Sequence, residues 1–303
     1  MTAPHVLLIG PQDQHSGKIT KALDERGTGY AWWDTSLFPL HQTLTFSIQP
    51  AVSGWLRLAS DQPPLALDQL TAVYWYYFLP PQLPAEQQHL YGETVSTLQS
   101  LFRLLGTRVI NPPDAIAAHR FKVRQLQQVA QLGLLPTPET LVTNDQAALT
   151  AFVGKYPQGV VVKNLTGIGY PKKITAADLE AFLATAPLTT TPCLAQALVA
   201  GDDIRVHVVG DNCFAAQVHS KNWTFVGDPD LRITEAAIPD TLQAHCRQIR
   251  DCLGYHVSGM DFRRTPDGSF VFIEANPSPQ FGMYEAETGQ PIGQAIAELL
   301  ATS

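Results

Sequence analysis

The stretch that most restricts how this chain can fold lies near its C-terminal end. There Gly259-Met260-Asp261-Phe262-Arg263 and Phe270-Val271-Phe272-Ile273-Glu274-Ala275-Asn276 flank a turn at Pro266-Asp267-Gly268. Two short β-prone runs around a Pro/Gly turn read as a hairpin. Residues two apart on a strand share a face. Glu274 and Asn276 therefore aim the same way, and the hairpin can bring Asp261 beside them. Oxygen donors converging at a strand end suit a hard cation, and magnesium is the expected occupant when nucleotide phosphates complete the shell.

With 303 residues the chain is long enough for two or three packed lobes. Its composition, 45% hydrophobic and 16% charged, is that of a globular protein, and a formal charge of -7 argues against a nucleic-acid partner held by phosphate neutralisation. No basic-then-apolar leader opens the sequence, and no apolar run approaches the roughly 20 residues of a membrane span. Cys193, Cys213, Cys246 and Cys252 are scattered, without a Cys-x-x-Cys pair. That pattern argues against zinc and fits free thiols in a reducing compartment, so a cytoplasmic location is expected.

In chain order, Val6 to Gly10 reads as a strand, Ser16 to Arg26 as a helix stopped by Gly27, and Tyr30 to Asp34 as a second strand. This βαβ spacing predicts a small parallel sheet. Gly10-Pro11-Gln12 is not a dinucleotide fingerprint. Residues 44–58 read as a hairpin, Ala72 to Phe78 as an aromatic strand, and Ala85 to Leu105 as one long helix. After the strand at Val109-Ile110-Asn111, a single helix capped by Asp114 is predicted through Leu132, carrying Lys122. Thr140 to Asn144 reads as a strand, and Asp145 caps a helix through Tyr156.

Val160-Val161-Val162-Lys163 then runs a β-branched strand into a lysine, followed by Gly167-Ile168-Gly169. A lysine at the end of a buried strand is costly to desolvate unless it meets an anion. Glycine amides can approach phosphate oxygens closely, although the Gly-Lys-Ser/Thr of a P-loop is missing. A helix from Ala176 to Ala186 and a Thr/Pro linker lead to the strand Leu194 to Val199. Its one amide, Gln196, suits either an adenine edge or a sheet edge. Arg205 alternates with Ile204 and Val206 on the next strand, and an arginine there calls for a carboxylate or phosphate. Further helices are predicted over residues 240–254 and from Ile292 to Leu300.

The order of these parts resembles the ATP-grasp superfamily of carboxylate–amine ligases. Within it the chain is most similar to the graspetide (microviridin-type) peptide macrocycle ligases and the related ribosomal-protein glutamate ligases. The likeness spans about residues 106–300. It is carried by Ile110-Asn111-Pro112, Gly133-Leu134 to Pro138, Thr140 to Asn144, Asp203-Ile204-Arg205, His219-Ser220 with Asp230-Leu231-Arg232, Glu274-Ala275-Asn276-Pro277, and Thr288 to Ile292. It implies an α/β ATP-grasp fold in three parts. These are an N-terminal small parallel-sheet domain (1–112), a central domain (113–192), and a C-terminal antiparallel-sheet domain (193–303) bearing the metal site.

It further implies roles. Lys122 and Lys163 would bind ATP phosphates under the Gly167–Gly169 loop. Gln196 and Leu198 would line the adenine pocket, and Asp203 would sit near the ribose. Arg205 would contact the γ-phosphate, and Asp261, Glu274 and Asn276 would hold one or two magnesium ions. The activity implied is ligation through an acyl phosphate, forming an amide or an ester on a peptide. His219 and Asp230 are the candidates for a base. Expected partners are ATP and a carboxylate-bearing peptide or small molecule, with a homodimer left open. Two alternatives stand beside this reading: a ligase adding an amino acid to a small molecule or protein tail, and a nucleotide-binding module without turnover. The chain departs from the graspetide pattern twice. Tyr74 to Phe78 is not followed by paired arginines, and Asn276-Pro277-Ser278-Pro279-Gln280-Phe281 replaces Asn-Pro-x-Gly-Gln-Trp.

Overall fold

The computed structural model describes residues 5–105, 108–165, 170–185, 188, 191–225 and 227–302. The chain opens with β1 (His5–Ile9), α1 (Gln14–Glu25) and β2 (Tyr30–Trp33). Asp13 caps α1 in a reciprocal box with Ser16. The hairpin expected over residues 44–58 is β3 (Thr43–Ser47) and β4 (Ser53–Arg57), joined by β5 (Leu65–Ala66) into a small separate sheet. β6 (Leu70–Trp75) then returns to lie parallel to β1. The long helix expected from Ala85 is a 3₁₀ segment, Ala85–Leu90, running into α2 (Tyr91–Leu104). With β7 (Arg108–Ile110), the first sheet has the order β2-β1-β6-β7, all parallel. Both faces of β1 are buried, Val6 and Leu8 in one apolar cluster and Leu7 and Ile9 in another, as a covered parallel strand requires.

The single helix expected from Asp114 to Leu132 is two: α3 (Pro113–Ala118) and α4 (Lys122–Gln131). Pro113, with its fixed φ, begins α3 directly after Pro112. Asp114 therefore falls inside the first turn and pairs with Arg103 at 2.7 Å instead of capping. The break puts Lys122 at the start of α4. Next come β8 (Thr140–Thr143), α5 (Gln146–Lys155, capped by Asp145), β9 (Val160–Lys163), β10 (Lys172–Ile174) and α6 (Leu179–Thr185), shorter than its predicted span. β11 (Cys193–Ala197) pairs with both β8 and β9, so the second sheet, β10-β9-β11-β8, continues past residue 192.

The third sheet is antiparallel, β14-β13-β12-β15-β16. It is built from β12 (Asp202–Val209), β13 (Asn212–His219), β14 (Arg232–Glu235), β15 (Val257–Arg264) and β16 (Phe270–Asn276), with α7 (Asp240–Cys252) inserted before β15. Its strands alternate. Ile204, Val206, Val208, Met260, Phe262 and Ala275 pack with Leu242, Cys246 and Ile249 of α7. The opposite face carries Asp203, Arg205 and His207. The chain ends in α8 (Gly282–Thr288), which the sequence reading did not foresee, and α9 (Ile292–Ala301). α9 packs on α1, and Phe281, Tyr284 and Ile296 share a core with Val6, Leu8 and Ile19. The buried Asn111 side chain joins the same regions. Its amide donates to the carbonyls of Val257 at 2.7 Å and Pro277 at 2.5 Å, and its oxygen accepts from the amides of His256 at 2.6 Å and Val257 at 2.9 Å. No helix among the described residues is long and apolar enough to cross a membrane.

Candidate active site

The polar face of the third sheet supplies most of the site. Its register sets Arg205 opposite Asp261 and Asp261 opposite Glu274, so charged side chains from three adjacent strands form one row. Arg205 Nε stands 2.8 Å from Asp261 Oδ1. Beside this row, Asp203 faces Arg263, with 3.1 Å between Oδ2 and Nη1. On the other side Gly259 sits between His207 and Asn276. A Cβ on Gly259 would lie 2.6 Å from Arg205 Nη1 and 2.6 Å from Pro279 Cβ. Glycine therefore leaves the space the guanidinium occupies beneath the Tyr284 ring, 5.6 Å from its centroid.

α4 brings the next charge. Gln125 holds the helix to β16 by reciprocal bonds with Ala275, donating to its carbonyl at 2.8 Å and accepting from its amide at 2.9 Å. One turn earlier on α4, Lys122 Nζ reaches Glu274 Oε2 at 2.8 Å. The second sheet contributes Lys163 at the end of β9, with Val161, Gln196 and Leu198. Gln196 is buried and donates to Thr140 Oγ1 at 3.2 Å. These groups line a cleft of about 300 Å³, together with Trp223 and Phe225 from the loop after β13.

Electrostatics in the cleft follow from burial and pairing. Burial alone would raise the Glu274 carboxyl, but the charges of Lys122 and Lys163 outweigh it and hold it at about 2. Asp261 moves the other way: burial pushes it above the ordinary carboxylate range against the pull of Arg205. Burial likewise lifts Asp203 to about 6, against Arg263. The Lys163 amine falls below its ordinary value because burial outweighs the attraction of Glu274, and it makes no ion pair among the described residues. Among the described residues, Lys122, Lys163, Arg205 and Arg263 thus face three carboxylates, Asp203, Asp261 and Glu274. The excess cation favours a polyanionic ligand.

The donor set also fits a hard cation. Asp261 and Glu274 are carboxylates set opposite one another, and Asn276 offers an amide oxygen on the same face. That oxygen accepts from the Ser278 amide at 2.9 Å and retains a second lone pair. Among the described residues no group of three His, Cys, Asp or Glu side chains gathers as a metal cluster; the set here is two carboxylates and an amide.

Of the residues singled out in the sequence, Lys122, Lys163, Gln196, Leu198, Asp203, Asp261 and Glu274 line this one cleft. Arg205 stands behind it, in contact through Asp261. Asn276 lies beyond the lining at the end of β16. Gly167 and Gly169 lie outside the described residues. The two candidates for a base are not brought to the cleft: His219 Nε2 is bonded to Thr234 Oγ1 at 2.8 Å, and Asp230 is exposed. Sequence reasoning passed over Arg263, Trp223 and Phe225. Arg263 had a usable signal, since it is two residues from Asp261 on a strand.

Residues 118–300 match the RimK-like ATP-grasp domain. The chain belongs to the RimK-like ATP-grasp family. This ATP-grasp ligase is 32% identical to a probable alpha-L-glutamate ligase of Klebsiella pneumoniae over 204 residues, 64% of this chain and 68% of that protein. Its fold matches the macrocyclase MdnC of Microcystis aeruginosa MRC, bound with precursor peptide MdnA, at a TM-score of 0.86 and 23% identity over 99% of this chain and 100% of that one. It also matches the ATP-grasp ligase PsnB, complexed with minimal precursor, Mg and ADP. That likeness has a TM-score of 0.81 and 26% identity over 99% of this chain and 98% of PsnB. The protein is an enzyme that couples ATP to bond formation, in a fold of mixed parallel and antiparallel sheets.

Proposed function

We propose that this ligase activates a carboxylate of a peptide substrate as an acyl phosphate and joins it to an amine or hydroxyl, closing an amide or ester as a graspetide-type ligase would. The observation that carries the proposal is the cleft itself. A surplus cation, two opposed carboxylates and a half-apolar wall converge at one place, which suits a nucleotide triphosphate with a divalent ion. A carboxylate is a poor electrophile because oxide would have to leave. Attack of its oxygen on the γ-phosphorus expels ADP and installs phosphate as the leaving group. The incoming amine or hydroxyl then attacks the acyl carbon, phosphate departs and the nucleophile loses its proton.

The residues divide this work. Lys122 and Lys163 orient the phosphates, and Arg205 neutralises charge on the phosphoryl group in transfer. Gln196 and Leu198 line the base, and Asp203 lies toward the ribose. Asp261, Glu274 and Asn276 hold one or two magnesium ions, whose charge would neutralise the nucleotide phosphates. No protein nucleophile is needed. The lobes we propose are those of residues 1–112, 113–192 and 193–303, with β11 pairing across the second boundary.

The relatives support a second reading, addition of an amino acid to a peptide end or small molecule, since the curated relatives matched are probable alpha-L-glutamate ligases. Whole-length structural matches include the peptide ligases, with 98% of this chain covered by PsnB bound to precursor peptide PsnA2 and AMPPNP at a TM-score of 0.78, and a RimK domain protein at the lower TM-score of 0.61. Mass spectrometry separates the two. The ligase, ATP and magnesium are incubated with acidic, Thr/Lys-containing peptides and, in parallel, with an amino-acid panel. Loss of one water per bond supports cyclisation; a gain of one residue mass supports the second reading. Absence of carboxylate-dependent ADP release with every pair would leave a nucleotide-binding module.

A further inference from the structure

We propose that Arg263 is a positioning residue for nucleotide binding, fixing the spacing between the two walls of the cleft. The inference rests on the reading of this cleft as the nucleotide site. Arg263 is on β15, its side chain 16% exposed, and its guanidinium reaches three partners on two separate segments. Nη1 lies 3.1 Å from Asp203 Oδ2 and donates to the Gly201 carbonyl at 3.0 Å. Nη2 donates to the Trp223 carbonyl at 2.8 Å. Each of those segments supplies a cleft wall: Leu198 and Val199 just before Gly201, Asp203 itself, and Trp223 with Phe225.

The two walls differ in how they are held. Gly201 is pressed onto β15. Its φ is +141°, and a Cβ there would lie 2.2 Å from the Arg264 carbonyl oxygen. The polar bonds of the loop carrying Trp223 run largely within the loop, while Phe225 and Leu231 pack against the core that contains Val218 and Ile233. Ser220 Oγ donates to Asp228 Oδ2 at 2.5 Å, the Asn222 amide donates to Ser220 Oγ at 3.0 Å, and the Asp230 amide donates to Asp228 Oδ1 at 2.9 Å. The bond from Arg263 to the Trp223 carbonyl ties that loop to the sheet. Arginine suits the task because a planar fork with several donors can serve a carboxylate and two carbonyls at fixed angles, whereas a single ammonium cannot. Loss of the fork loosens the aromatic wall from the wall that carries Leu198 and Asp203, so the cleft no longer presents a fixed width to the base. The chemistry at Glu274 and Lys122 lies on a different strand and helix and is left in place.

The experiment measures Mg-ADP affinity by titration calorimetry and steady-state kinetics in ATP for wild type, Arg263→Met, Arg263→Lys and Asp203→Asn, with thermal melting of each. Hydrogen bonds to a charged donor set the scale. Arg263→Met is expected to raise Kd for Mg-ADP and KM for ATP by about 10-fold or more, with kcat within about threefold of wild type. Arg263→Lys, which keeps the charge opposite Asp203, is expected to fall between, and Asp203→Asn, which removes the carboxylate that Arg263 holds and that lies toward the ribose, to raise Kd and KM as well. If Arg263→Met does not fold, the other two variants carry the test. A folded Arg263→Lys with wild-type Kd and KM overturns the proposal, as does a variant that loses kcat with KM unchanged. Wild-type protein that binds no Mg-ADP removes the nucleotide reading and this inference together. Wild type that binds, with all variants equal to it, removes this inference alone.

Discussion

Arg205–Asp261 and Lys122–Glu274 are ion pairs of the same length, 2.8 Å, built in different ways. The first spans adjacent strands of one sheet, and the register of β12 on β15 fixes both backbones. Neither partner can leave without disturbing the ladder, and Gly259 reserves the space for the guanidinium. The second joins a helix to a strand 152 positions away. Its helix is clamped through Gln125, but the ammonium is carried on a flexible four-carbon stem. The difference teaches which contact is scaffold and which is exchangeable. On the proposed reading, an arriving phosphate would draw Lys122 away and expose Glu274 to a cation, while Arg205 and Asp261 stay in register.

The largest effect is expected where both roles meet. Glu274→Gln removes a carboxylate that pairs with Lys122 and that, on the proposed reading, would serve the cation. ADP release should fall at least about 100-fold in a variant that still folds; wild-type turnover would end the metal assignment. Next comes Arg205→Met, which removes the ion-pair partner of Asp261 and leaves it only the more distant charges of Lys163 and Lys122. Denaturant unfolding should show a loss of about 2–3 kcal/mol, the scale of breaking a largely buried pair. A loss as small as that of a surface pair would mean that this contact is not scaffold. Gly259→Ala should cost about 1–2 kcal/mol through overpacking against Arg205 and Pro279, read in the same melts.

Lys122→Met separates the two pairs most cleanly. It should cost less than about 1 kcal/mol of stability, as for a partly exposed pair. Manganese binding without nucleotide, followed by paramagnetic resonance, should tighten several-fold. Equal stability losses in Lys122→Met and Arg205→Met would erase the distinction. The smallest effect is in acid. The Glu274 carboxyl is held at about 2, below its ordinary value of 4.5. The unfolded chain binds this proton more readily, so the stability Glu274 contributes is present above about 4.5 and is lost as pH falls toward about 2. That part of the acid limb should shrink in Lys122→Met, with Lys163 sustaining the remainder.

Much of the site was legible because short-range periodicity carries it. Two-residue spacing sets Glu274 and Asn276 on one face, and a turn residue cluster brings Asp261 alongside. Alternation on β12 turns Arg205 to the face opposite buried Ile204 and Val206. The strand before Lys163 was equally plain, since Val160 and Val162 are buried in the second core. The misses share one cause, dependence on partners far along the chain. The break at residues 119–121 that gives α4 its own start leaves no strong mark among good helix formers, although the Pro112-Pro113 pair did mark where α3 begins. α8 forms where Phe281 and Tyr284 find the N-terminal core. The Phe281 and Gly282 amides donate to His15 Nδ1 at 3.1 and 2.7 Å, a partner no local pattern announces. Trp223 and Phe225 read as loop aromatics until the sheet carries them to the cleft.

The Asn111 clasp bears on how such proteins can be recombined. Its amide bridges the end of the first sheet to residues 256–277 with every donor and acceptor position occupied. Arg26–Glu298 and Lys18–Glu285 lie on the same seam. The N-terminal region is thus not an interchangeable cassette, even though a linker-like turn follows it. A chimera that borrows this region from a relative must borrow the last two helices as well, and the fusion points that preserve the seam lie within the second sheet's loops rather than at the sequence boundary near Pro112.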